Sequence, residues 1–99
     1  MKIKISAIHF NADSKLEAFI EEKVTKLYHF SDDILSAEVH LLLEKSQNKN
    51  YDSKVVKIIL EIPKGDLFSE KKAGSFEEGT DNAVTALRAQ LQKRKEKQL

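Results

Sequence analysis

The chain has 99 residues, 40% apolar and 33% charged, with a formal net charge of +1. That is the length of one domain with material for one modest core. The near-zero balance excludes a globally basic nucleic-acid wrapper, although a binder whose cations share one face stays possible. The chain has no cysteine, so disulfides and thiolate metal sites are excluded. No run approaches the roughly 20 apolar residues that span a bilayer, and the N-terminus lacks the apolar core of a signal peptide. A single domain over residues 1–99, cytoplasmic and without a membrane role, is the expectation.

Residues 2–9 alternate, with Ile3, Ile5 and Ala7 opposite Lys2, Lys4 and Ser6, which predicts a half-buried strand. Ser14 with Glu17 three positions on reads as a capping box that opens a helix. Leu16, Phe19, Ile20, Val24 and Leu27 then recur at helical spacing, closed by Tyr28 and Phe30. Lys23 and Lys26 lie one turn apart on this helix, interleaved with Glu17, Glu21 and Glu22. Ser31-Asp32-Asp33 is a polar break.

Residues 34–44 predict a second strand, with Leu35, Ala37, Val39, Leu41 and Leu43 on one face. A loop at 46–50 leads to a third strand at 53–62, antiparallel to the second. Pro63-Lys64-Gly65-Asp66 is a turn, and a short, weaker strand is expected around Leu67–Lys72. Ser75-Phe76-Glu77-Glu78 offers another capping box, followed by Gly79, which predicts a loose first turn. Ala83, Val84, Leu87 and Leu91 form the stripe of a long terminal helix. The order is strand, helix, three strands, helix. It predicts an α+β, two-layer β-α-β-β-β-α sandwich, with two helices on one face of a four-stranded sheet.

The last twelve residues hold Arg88, Lys93, Arg94, Lys95 and Lys97 against one acid, Glu96. Basic residues at a helix C-terminus also suit the macrodipole and solubility. The functional reading rests on their recurrence over three turns. If both helices share a sheet face, Lys23 and Lys26 join them in one phosphate-seeking patch.

Other candidates are weaker. His9, His29 and His40 lack metal-site spacing, and no metal is expected. Asp32-Asp33 and Glu77-Glu78 sit where turns and caps want acids. No phosphate loop, nucleophile elbow or catalytic set appears, so no catalytic residue, cofactor or enzyme activity is expected. Tyr28, Phe30, Tyr51 and Phe68 are candidates for base stacking. Phe30 reads as core, and Tyr51, in a loop, is the better candidate.

Two segments carry a resemblance. Ile20-Glu21-Glu22-Lys23-Val24-Thr25-Lys26-Leu27 is similar to a "basic-x-x-K-L" helix. Leu87 to Lys97 matches L-x-x-Q-L-x-K-x-K-x-K at the end of the stretch from Phe76. In these the chain resembles the ribosome hibernation promoting factor family, which includes ribosome-associated inhibitor A (protein Y). The resemblance covers the whole chain in element order and length. Its length is that of the family's short form, without a C-terminal dimerising domain. Two departures stand out: Ala86 and Ala89 replace frequent cations, and Glu77-Glu78-Gly79 replaces an aromatic-bearing start of the second helix.

The resemblance implies a fold like the double-stranded-RNA-binding domain. It also implies a translation inhibitor that lodges in the small-subunit decoding channel, blocks messenger and tRNA sites, and promotes hibernation in stationary phase or stress. Its rRNA-binding cations map onto Lys23, Lys26, Arg88, Lys93, Arg94, Lys95 and Lys97. The implied partners are the small ribosomal subunit with its rRNA and a separate ribosome modulation factor, with a monomer expected off the ribosome. The alternative is a protein-interaction module whose basic C-terminal helix docks on an acidic protein.

Overall fold

In the computed structural model, which describes residues 2–44 and 54–97, six elements follow the expected order. They are β1 (Ile3–Ile8), α1 (Ser14–Phe30), β2 (Ser36–Leu43), β3 (Lys54–Ile62), β4 (Gly65–Ala73) and α2 (Phe76–Lys97). The sheet runs β1-β2-β3-β4, with β1 parallel to β2 and the other pairs antiparallel. The predicted loop at 46–50 and Tyr51 lie outside the described residues.

Register explains the core. Ala37, Val39 and Leu41 of β2 stand opposite Leu60, Ile58 and Val56 of β3. All six are buried, because alternate residues of a strand point to the same face. Onto this face pack Ile20, Val24 and Leu27 from α1 and Ala83, Leu87 and Leu91 from α2. Both helices therefore share one side of the sheet. Tyr28 ties α1 to the first strand, its hydroxyl donating to the Lys2 carbonyl at 2.7 Å. Burial holds the phenol above its ordinary pKa, and that hydrogen bond opposes the shift only in part.

Four local expectations are corrected. The N-cap of α1 is Asp13, not Ser14: its extended backbone lets Oδ1 accept from Leu16 N at 2.8 Å. An aspartate there also places a negative charge at the positive end of the helix dipole. Leu35 and Leu43, read as core-facing, are 55% and 48% exposed. One precedes β2 and the other ends it, beyond the stretch where Ala37, Val39 and Leu41 face the helices. The fourth strand is longer than expected, nine residues from Gly65 to Ala73 paired along the whole of β3. The turn before it has Pro63 followed by Lys64 at φ 72°, the backbone of a tight hairpin that sets this register.

The last correction concerns Gly79. α2 is helical from Phe76, with Ser75 as cap: its hydroxyl accepts from Glu78 N at 3.1 Å. Gly79 does not loosen the turn. A Cβ there would lie 2.8 Å from Val56 Cγ2, so the missing side chain is what lets α2 approach β3.

Candidate nucleic-acid interface

α1 and α2 run side by side, and between them lies a groove of about 550 Å³. Its apolar lining is Leu27, Phe30 and Val84. Its cations are Lys23 and Lys26 from α1 and Arg88 from α2, and Asp81 is its one carboxylate. The sequence separates Lys23 from Arg88 by 65 positions, and the shared sheet face brings them together. Helical spacing does the rest. Lys23, Lys26 and Phe30 rise along the flank of α1 that faces α2, and Asp81, Val84, Thr85 and Arg88 along the opposing flank.

The cations differ in how they are held. Lys23 Nζ lies 3.2 Å from Asp81 Oδ1 and 5.3 Å from the Phe19 ring centroid. Lys26 is exposed and has no ion pair among the described residues. The Arg88 guanidinium lies over the Phe30 ring, 5.1 Å from its centroid. Lys95 also lies over that ring, at 4.1 Å, and its ammonium donates to the Phe30 carbonyl. That carbonyl ends α1, so a cation meets the negative pole of the helix. Phe30, packed against the core as expected, thus orients two cations of α2.

Lys95 belongs to a second groove, of about 470 Å³, that shares His29 and Phe30 with the first. There charge is balanced, Arg94 and Lys95 against Asp32 and Asp33. Arg94 faces inward rather than to solvent. Its Nη1 donates to Asp33 Oδ2 at 2.9 Å and its Nη2 to the Pro63 carbonyl at 3.0 Å. The Ser31 hydroxyl donates to Asp33 Oδ1 at 2.6 Å. Those hydrogen bonds, from Ser31 first and then Arg94, hold the Asp33 carboxyl below its ordinary pKa. Arg94 is a clamp that joins the α1–β2 connection and the β3–β4 turn to α2. Lys93 sits elsewhere: five residues past Arg88, it points ~140° around the helix, away from α1. The side chain of Lys97 lies outside the described residues.

The opposite face of the sheet is mixed and largely self-paired. Lys57 lies 3.6 Å from Glu70, Lys72 3.1 Å from Glu44, and His40 3.5 Å from Glu38. Phe68, a sequence candidate for stacking, is on that face and 51% exposed, paired across strands with Ile59. Tyr28, another, is committed to Lys2. Sequence reasoning missed Asp81, Thr85 and His29 as groove residues. Asp81 to Arg88 is one heptad, a signal that points to one face of α2, but the facing residues of α1 carry no local sign of their partner. Among the described residues no group of histidines and acids has the geometry of a metal site, and no helix is long and apolar enough to cross a membrane.

Fold and groove together define a small α+β domain whose two helices bring Lys23, Lys26 and Arg88 to one groove. The chain belongs to the family described as Sigma 54 modulation protein / S30EA ribosomal protein, whose model matches residues 3–99. It is 29% identical over 98 residues to a ribosome hibernation promoting factor of Pseudomonas putida, covering 99% of this chain and 90% of that relative. In fold it is similar to the N-terminal domain of Thermus thermophilus protein Y, with TM-score 0.78, 22% identity, and 94% and 98% of the two chains covered. It is also similar to a ribosomal subunit interface protein from Coxiella burnetii, with TM-score 0.78, 19% identity, and 96% and 98% covered.

Proposed function

We propose that this protein is a non-enzymatic, ribosome-associated translation inhibitor. It binds the small subunit in the decoding channel, sets its helical cations against rRNA phosphates, blocks the messenger and tRNA sites, and promotes hibernation in stationary phase or stress. The carrying observation is the convergence of Lys23 and Lys26 with Arg88 in one groove, with Lys95 at its end. Family membership and the name of the Pseudomonas relative support the ribosomal direction.

Phosphate contacts position a protein without reading sequence, so a small domain with clustered cations in one groove suits a fixed RNA cleft. Lys93, on α2 beyond the groove, is a further rRNA contact in this reading, and so is Lys97 by its place in the sequence. The partners are the small subunit and its rRNA, with a separate ribosome modulation factor as a second partner in dimer formation, and the place of action is the cytoplasm.

The test is sucrose-gradient sedimentation of stationary-phase lysates containing the tagged protein. Co-migration with small subunits or whole ribosomes, lost when Lys23, Lys26, Arg88 and Lys95 are replaced together by glutamine, is the expected result. Migration only in the free fractions overturns the proposal. A complex that survives nuclease digestion points instead to an acidic protein partner.

A further inference from the structure

We infer that the groove between α1 and α2 is a seat for one unstacked nucleotide, its base layered on the Arg88 guanidinium and its phosphate held by Lys26. This deepens the ribosomal reading, and rests on it for the source of the nucleotide, an unpaired residue of rRNA. The chemistry of the seat stands on the groove itself.

Four observations carry it. The volume, about 550 Å³, falls within the roughly 300–1,000 Å³ of small-molecule sites. The lining pairs apolar side chains, half-buried Val84 and Phe30 above the buried Leu27, with cations at the rim. A purely phosphate-binding surface has no use for that apolar floor, whereas a base has two apolar faces to cover. Arg88 is not a loose cation: its guanidinium carbon lies 5.1 Å from the Phe30 ring centroid, which anchors it at the groove. Unstacked bases are commonly layered on arginine planes, and Arg88, anchored beside Phe30 at the groove, offers such a plane. Asp81 completes the seat. Its Oδ1 is fixed by Lys23, while Oδ2 has no donor among the described residues. It can accept an N–H from the edge of a base, and Thr85, one turn further along α2, offers a hydroxyl beside it. The carboxylate would repel a bare phosphate at that point, so charge directs the base toward Asp81 and the phosphate toward Lys26.

A duplex cannot use this seat, because its base faces are already stacked. The groove therefore selects a single-stranded or extruded nucleotide over helical RNA.

The experiment is an NMR titration of the whole chain, following the methyl groups of Leu27 and Val84, with guanosine 5′-monophosphate and, separately, ribose 5-phosphate. The nucleotide should bind at least roughly five-fold more tightly, the factor supplied by the low end of a single base stack, and should shift both methyls. Arg88→Lys keeps the charge but loses the plane. It should retain ribose 5-phosphate binding and lose the preference for the nucleotide. Equal affinity for the two probes, no binding of either, or a preference undiminished in Arg88→Lys overturns the inference. Nucleotide preference in a chain that does not sediment with small subunits would refute the ribosomal reading while leaving the seat intact.

Discussion

Arg94 looks in sequence like one more cation of a basic run, and the structure gives it a different task. Replacing it by glutamine removes two charge-assisted hydrogen bonds, to Asp33 Oδ2 and to the Pro63 carbonyl. Buried bonds to charged groups contribute about 1.5–3 kcal/mol each, whereas exposed ion pairs contribute about 0–1. The two side chains are 23% and 42% exposed, between those limits. A loss of about 1–2 kcal/mol follows for the pair of bonds together, after discounting for solvent screening. For a domain of this size the corresponding fall in Tm is roughly 4–16 °C. Arg94→Lys should recover little of it, since a lysine cannot span the carboxylate and the carbonyl with a planar fork. The assay is thermal and urea unfolding of the three proteins followed by circular dichroism. An Arg94→Gln protein within about 0.5 kcal/mol of the parent, the range of inert surface changes, would refute the clamp.

Further outcomes follow from the same contacts. Gly79→Ala should gain about 1 kcal/mol of helix propensity and lose about 1–3 to overpacking against Val56, a stiff β-branched side chain in the core, for no net gain or a net loss. In a Val56→Ala background the same change should stabilise, and urea unfolding of the four proteins of this cycle checks the reversal of sign. Acid sensitivity should involve Asp33, whose folded pKa is depressed. Its contribution is fully present above the unfolded value of about 4 and is lost as pH falls through the folded value. Asp33→Asn should therefore flatten the dependence of stability on pH below about 4 in urea titrations, and an unchanged slope would contradict the assigned network.

The fold was legible because periodicity carries it. Val39, Leu41, Val56, Ile58 and Leu60 alternate as a buried sheet face must, and Ile20, Val24, Leu27, Leu87 and Leu91 recur as helix stripes must. Element ends were less so. Asp13 and Ser14 are both good caps, and the choice depended on which residue's backbone is extended. Gly79 could not be understood locally, since its reason is a valine 23 positions earlier in a different layer. The site shows the same division. That Lys23, Lys26 and Arg88 converge follows from two helices on one sheet face, which the element order implied. That Arg94 turns inward to Asp33, 61 residues away, or that Phe30 supports both Arg88 and Lys95, is a matter of tertiary placement with no signal in any window of sequence.

The central claim is that cations at the groove between the two helices engage RNA phosphates, and its most direct test is the salt dependence of binding to purified small ribosomal subunits. Of Lys23, Lys26, Arg88 and Lys95, Lys23 is already paired with Asp81; with the other three each neutralising one phosphate, the logarithm of the binding constant should fall with the logarithm of salt concentration at a slope of roughly −2.1 to −2.7. Replacing all four by glutamine should flatten that slope toward zero. A parent slope already near zero, or a four-fold variant that binds with the parent's slope, would contradict the account.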